Sequence, residues 1–272
     1  MTGATPRRGG RGAARALLPA RLVPDRTAPP GYCGSMAASD NTPRASARMM
    51  AYARIRERII SGQDAPGTLL SENELAHHLG TSRQPIREAL LLIAQEGLVE
   101  IRPQSGTYVT YIDADTVAQA QFIREAIEVA SLAECARNIT PEATAALRGL
   151  LDRQDACTSR EEFYPLDEEF HRALLSIAGH ETAWATVSNA KGHLDRARYL
   201  GLSGYRGITE YAADHRRVLE AVLAGDLTAA EDCLRSHLRF ILDDVTNMRA
   251  LRPELFSAPA VPERRTGRPA RV

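Results

Sequence analysis

Apolar positions recur every three or four residues along most of the chain, with one short alternating stretch near residue 100. The first helical stretch runs roughly from Met49 to Ser61, where Tyr52, Ile55, Ile59 and Ile60 share a face. A second, shorter helix is predicted after Ser71. Ser71 and Glu74 form a Ser-x-x-Glu capping box, Leu75, Ala76 and Leu79 follow at helical spacing, and Gly80 is a stop signal. Ser82 offers another N-cap, and Pro85 falls in the first turn, where no N–H partner is lost. Ile86, Ala89, Leu90 and Ile93 make the apolar stripe of this third helix. Val99, Ile101, Thr107 and Val109 instead predict two strands around the turn Pro103-Gln104-Ser105-Gly106.

Beyond Asp113 the helical period returns and persists to about Met248. It predicts helices over roughly 113–138, 141–156, 165–178, 180–200, 208–224 and 227–248. Thr140-Pro141 and Asp226 are start signals, and Gly179 and Gly225 are stops. Short connections imply an antiparallel bundle. The expected fold is therefore mainly α: an N-terminal winged helix-turn-helix domain followed by an antiparallel all-helical bundle.

A chain of 272 residues has room for two domains. The expected division is a basic, disordered extension over 1–47, the winged helix over 48–112, the bundle over 113–250 and a disordered tail over 251–272. The extension and tail are rich in Arg, Pro, Gly and Ala without a period. An alternative for the first 35 residues is that translation begins at Met36. No stretch reaches the roughly 20 apolar residues of a membrane helix, so no membrane partner is expected. Cys33, Cys135, Cys157 and Cys233 lack C-x-x-C spacing and read as free thiols in a reducing cytoplasm.

Formal charge is zero overall but uneven: +6 over 1–48, −1 over 49–112, −8 over 113–250 and +3 over 251–272. The winged helix is thus not basic in bulk, which counts mildly against nucleic-acid binding. Its start of the third helix nevertheless exposes Thr81, Ser82, Arg83, Gln84 and Arg87. Side chains of these types reach phosphates and base edges. Gly106 would let a wing approach the duplex closely. Two core helices with a solvated polar face remain the alternative, and Arg54, Arg58 and Arg102 would have to share a face with Arg83 and Arg87 to offset the acidity.

In the bundle, Asp167 and His171 are spaced to share one helix face. His215 lies 11 residues before Asp226 and His237 lies 11 after it, so both sit at one height of an antiparallel hairpin. Three imidazoles and a carboxylate suit Zn, Ni, Fe or Mn. Ordinary packing histidines and an i,i+4 polar pair are the competing account.

Residues 49–112 closely resemble the DNA-binding domain of the GntR family of bacterial transcription regulators. The matching residues are Gly67, Leu70, Ser71, Glu72, Glu74, Leu75, Ala76, Leu79, Gly80, Ser82, Arg83, Pro85, Arg87, Glu88, Ala89, Leu90, Glu96-Gly97-Leu98-Val99, Gly106 and Val109. The resemblance implies that Arg83 and Arg87 contact double-stranded operator DNA and that the wing tip, Gln104, Ser105 and Gly106, enters the minor groove. Ser71 joins the contact set. Asn73 stands where the family often has Arg, so a contact there is weaker or different.

Residues 113–245 are similar to the FCD ligand-binding domain of the FadR subfamily. The matches are Arg124, Glu128, Asp167, Phe170-His171, Ala178-Gly179, His215, Ala221, Gly225-Asp226, Ala230 and His237-Leu238. This resemblance implies a divalent metal, Zn, Ni or Mn, held by Asp167, His171, His215 and His237. It also implies a small organic acid effector held by Arg124, whose competing role is a salt bridge to Glu128. His180 replaces the usual Asn after Gly179; His180, Arg196, Arg198 and Tyr199 are weaker pocket candidates. The expected whole is a homodimeric repressor reading a palindromic operator. Rival accounts are a metal-dependent hydrolase using Glu168 or Glu169 as base, which a regular helix points away from the Asp167–His171 face, and an effector-independent architectural DNA binder.

Overall fold

The computed structural model describes residues 42–202 and 206–256, with the side chains of 42–45 and of Asn189 left aside. Most of the expected basic extension and most of the tail lie outside the described residues, as does Cys33. The first helix, α1 (Thr42–Ile60), starts earlier than its apolar stripe suggests, because Pro43 sits in its first turn, where proline is tolerated. Strand β1 (Leu69–Leu70), helix α2 (Glu72–His78) and helix α3 (Arg83–Gln95) follow, then strands β2 (Val99–Arg102) and β3 (Gly106–Val109). The Ser71 hydroxyl accepts from the Glu74 N–H at 3.3 Å. Ser82 occupies the cap position of α3 without a side-chain cap bond, which leaves its hydroxyl free for another partner.

The three strands form an antiparallel sheet in the order β1-β3-β2, with Val99 opposite Val109 and Leu69 opposite Tyr108. Two residues are too short to show alternation, so β1 was not legible beforehand. At the wing, Gln104 has φ 59° and Gly106 φ 124°. A Cβ on Gly106 would lie 2.5 Å from the Leu69 side chain, so only glycine lets β1 close against the wing. Ile55, Ile59, Ile86, Leu90, Ile93 and Leu98 fill the core beneath, each fully or almost fully buried.

The remaining helices are α4 (Ala114–Asn138), α5 (Pro141–Asp155), α6 (Arg160–Ile177), α7 (Ala183–Ala190), α8 (Gly192–Gly201), α9 (Ile208–Ala224) and α10 (Leu227–Leu251). Asp113, Thr140, Ser159 and Asp226 cap α4, α5, α6 and α10 with their side chains. Two boundaries differ from the sequence reading. Helix α6 begins five residues before Pro165, because Ser159 caps it and Glu161 and Glu162 complement its N-terminal dipole. The expected helix over 180–200 is broken at Lys191, and the break brings the N-terminus of α8 against the end of α3. There Gly192 approaches so closely that a Cβ would lie 2.6 Å from the Glu96 carbonyl oxygen.

Leu132, Cys135, Leu147, Phe170, Leu174, Leu219, Leu234 and Leu238 form the main core of the bundle. Cys135, Cys157 and Cys233 are free. Helix α8 also ties the bundle to the winged helix. Arg196 donates to the Thr110 carbonyl from both terminal nitrogens, each at 2.8 Å. The His193 Nδ1 accepts from the Asp113 N–H at 3.2 Å, so its Nε2 carries the proton and donates to the Gly97 carbonyl at 3.1 Å. The expected disorder after 251 is corrected for 253–255, a single 3-10 turn. Pro253 fixes its start, Leu255 is buried beside Ile112 and Val117, and the Ile112 N–H donates to the Leu255 carbonyl at 2.8 Å.

Candidate metal centre and nucleic-acid interface

Asp167 and His171 project from α6, His215 from α9 and His237 from α10, and one ligand atom from each lies within 4.8 Å of all the others. The Nε2 of His237 is 3.1 Å from that of His215 and 3.3 Å from that of His171. Asp167 Oδ1 lies 3.5 Å from His215 Nε2 and 3.9 Å from His171 Nε2. All four residues are buried. The equal spacing of His215 and His237 about Asp226 thus places them side by side in the folded chain.

The outer nitrogens of the imidazoles decide what the inner ones can do. His171 Nδ1 faces Glu128 Oε2 at 2.6 Å, His215 Nδ1 faces Gln154 Oε1 at 2.8 Å, and His237 Nδ1 faces Asp214 Oδ2 at 3.4 Å. Each partner is an acceptor, so each Nδ1 carries the proton and each Nε2 presents a lone pair to the same point. Three lone pairs and a carboxylate oxygen repel one another unless a cation lies between them. This arrangement, with an acceptor behind each ligating imidazole, fits a divalent transition metal. Gln154 and Asp214 escaped the sequence reading. The only signal for Asp214 was its place beside His215, and Gln154 gave none.

Electrostatics support the same state. Burial, then the neighbouring imidazoles of His237 and His171, push His215 well below the usual histidine range. Burial pushes His237 down to about 4, although Asp214 pulls the other way. Burial opposes the charge on Glu128, yet Arg124 and His171 lower it to about 2. An unfolded histidine titrates near 6.5, so below that pH the unfolded chain takes up protons that the folded bundle refuses. Metal-free protein is therefore expected to lose stability as pH falls from about 6.5 towards about 4. Urea midpoints of chelator-treated protein at pH 7 and pH 5 check this. Equal midpoints would mean that the imidazoles protonate in place.

Beside the cluster lies a void of about 20 Å³ lined by Arg124, Tyr164, Asp167, Arg198, Tyr211 and His237, among others. Arg124 donates from Nε to Glu128 Oε1 at 2.6 Å, while its buried Nη2 has no hydrogen-bond partner. Among the described residues it therefore has the expected salt bridge and one donor without a partner. Arg198 holds Asp167 Oδ2 and Glu168 Oε1. The other weaker candidates are placed elsewhere: Arg196 on Thr110, Tyr199 in the winged-helix core with its hydroxyl on Glu161, and His180 on the surface. Glu168 is committed to Lys191 and Arg198, and Glu169 is exposed beside Arg153, so neither is poised as a hydrolytic base.

On the winged helix, Ser82, Arg83, Gln84 and Arg87 are exposed, as are Asn73, Gln104 and Ser105, with Ser71, Thr81 and Gly106 partly so. Arg83 is held loosely by Glu72 at 3.4 Å, and Gln84 donates to Glu88 at 2.8 Å. Arg54 pairs with Glu57, Arg58 braces Asp64 through two bonds, and Arg102 pairs with Glu100 and stacks over Tyr108. Arg54, Arg58 and Arg102, needed to offset the acidity, are thus each engaged with an acid of the same domain.

A winged helix-turn-helix fused to a helical bundle is the architecture of a DNA-binding transcription regulator. Residues 48–109 match the gntR family of bacterial regulatory proteins, and residues 119–240 match the FCD domain. The chain is 45% identical over 217 residues to an HTH-type transcriptional regulator in an unstable DNA locus of Streptomyces ambofaciens, covering 79% of this chain and 92% of that one. It is 35% identical to the HTH-type transcriptional repressor RspR of Escherichia coli K12, covering 76% and 92%. The solved structure of E. coli McbR/YncC shares the fold with a TM-score of 0.64 at 18% identity, covering 74% and 98%. The chain belongs to the GntR family of DNA-binding transcriptional regulators and carries an FCD domain. These relatives are regulators, not enzymes. No described helix is long and apolar enough to cross a membrane.

Proposed function

We propose that this protein is a homodimeric repressor whose operator affinity is set by a small carboxylate bound at a divalent metal centre. The reader domain would span 48–112 and the sensor domain 113–250. The observation that carries the sensing part is the convergence of three Nε2 lone pairs and Asp167 Oδ1, with every Nδ1 tied to an acceptor. Asp167, His171, His215 and His237 would hold Zn, Ni or Mn, which when bound supplies Lewis-acid attraction for an anion. Arg124 lines the same void, and its Nη2, which has no partner among the described residues, suits a carboxylate oxygen. A void of about 20 Å³ holds an ion or a water, so an organic acid would need neighbouring side chains to move.

Arg83, Gln84 and Arg87 would enter the major groove, with Thr81, Ser82, Ser71 and Asn73 on phosphates and Gln104, Ser105 and Gly106 at the minor groove. Dimerisation is supported by an apolar stripe on α4 that no described residue covers, where Ala118, Ala126 and Ala130 flank Phe122, which is 71% exposed. A second copy would cover it. Repression follows from the relative named as a repressor. Native mass spectrometry of the untagged protein tests the reading. A dimer with one divalent ion per chain is the expected spectrum. A protein still metal-free after incubation with Zn, Ni and Mn would remove the sensing mechanism and leave the DNA reader standing.

A further inference from the structure

Acids and bases alternate without a gap from the His/Asp cluster to the winged helix. Arg198 bridges Asp167 and Glu168. Lys191 bridges Glu168 and Asp195, with Nζ 3.0 Å from Asp195 Oδ1. Arg56 on α1 bridges Asp195 and Glu96, donating from Nε to Glu96 Oε2 at 2.7 Å. Glu96 caps the C-terminus of α3, whose other end carries Arg83 and Arg87. Four carboxylates thus alternate with three bases, each base is shared between at least two acids, and Arg198 also lies 3.9 Å from Asp195 Oδ1, a second and longer link past Lys191.

A buried ladder of this kind is a poor way to gain stability. Well-packed apolar side chains of similar volume are often as stable or more so. Its value is that every base has a choice of partner. The Lys191–Asp195 contact is an ion pair without hydrogen-bond alignment, since among the described residues Asp195 Oδ1 accepts no hydrogen bond. Room to rearrange is present too. Tyr52, Arg56, Tyr164, Glu168, Lys191 and Asp195 line a cavity of about 670 Å³ where α1 meets α6 and α8. Three bases against four acids also leave one excess negative charge, which a divalent cation at Asp167 would more than offset, so its arrival changes the sign of the local charge.

We infer that Arg198 is a partner-switching residue, and that the ladder through Glu168, Lys191, Asp195, Arg56 and Glu96 carries its state to the recognition helix. This rests on the proposed metal-dependent sensing. Asp167 cannot give its charge to a divalent cation and keep the same hold on Arg198. Arg198 then shifts onto Glu168, Lys191 onto Asp195, and Arg56 onto Glu96. The Arg56–Asp195 pair, which spans the two domains, loosens, and the reader is freed to reorient. The ladder thereby supplies a discrete two-arrangement element biased from the sensor end.

The test is hydrogen–deuterium exchange on the full chain, with Zn alone as probe and uptake followed by native mass spectrometry. In wild type, Zn should change exchange at 52–61 and 90–97 by about 3-fold or more, as a shifted local-opening equilibrium would. In Asp195→Asn, Zn uptake should be unchanged, the change in α8 should persist, and that in α1 and α3 should vanish. Lys191→Met should behave alike. His193→Ala, which removes an inter-domain bond off the ladder, should keep the full response and so separates the ladder from general loosening. Zn bound with an undiminished α1 response in Asp195→Asn, or with no α1 response in wild type, overturns the switch alone. Failure of Zn to bind at all takes down both the sensing reading and the switch.

Discussion

His171→Ala is expected to abolish the uptake of one divalent ion per chain while leaving the helical bundle folded. His171 is buried, its Nε2 faces His237 at 3.3 Å and its Nδ1 is held by Glu128. Loss of an outer partner alone typically weakens a metal site 10–100-fold, so loss of a ligand should exceed about 100-fold. Asp214→Asn, which weakens only the acceptor behind His237, should fall in the lower range. Truncating a buried ring also costs about 2–5 kcal/mol, and metal-free melting should drop accordingly. Glu128 keeps Arg124 as partner in the variant, so no buried carboxylate is left unpaired. The decisive contrast is thermal: Zn at about 100 times its Kd stabilises wild type by roughly 2.7 kcal/mol and should leave His171→Ala unmoved. Wild-type metal affinity in that variant would show that the four residues are packing groups.

Locally encoded features were readable in the chain itself. Ser71, Gly80, Ser82 and Pro85 state the two helices and their turn, because caps and breakers act within a few residues. Asp167 and His171 were readable as a pair on one helix face, and the hairpin about Asp226 placed His215 beside His237. Features that depend on a distant approach were not. The break at Lys191 has no local breaker before it and becomes intelligible only against Glu96, where α8 meets α3. Leu255 reads as tail until Ile112 and Val117 receive it. Gln154 stands behind His215 from another helix, 61 residues away in sequence. Arg56 and Asp195 are 139 residues apart, so no periodicity joins them. Bulk charge was uninformative for a specific reason: it cancels pairs such as Arg58–Asp64 and Arg102–Glu100 wherever they lie and says nothing of which side chains stand exposed at the start of α3.

Arg83→Ala is expected to weaken operator binding by about 1–3 kcal/mol, or roughly 5- to 150-fold, and to relax preference at one base pair. Arg83 stands at the first turn of α3 with 68% of its side chain exposed, and its pair with Glu72 is long at 3.4 Å. Exposed pairs of that kind contribute about 0–1 kcal/mol, so the substitution should barely change folding stability. The lost affinity would then report a lost DNA contact. The nature of that contact is read from two further measurements on a selected operator. A guanine contact gives a loss concentrated on one base pair, because the bidentate fork of Arg matches guanine and no other base there. A phosphate contact gives a uniform loss across sequences and lowers the salt slope by about one. Arg87→Ala, one turn further along the same exposed face, provides the comparison within one helix. Unchanged affinity in Arg83→Ala would take Arg83 out of the interface and shift recognition towards Arg87 and the wing.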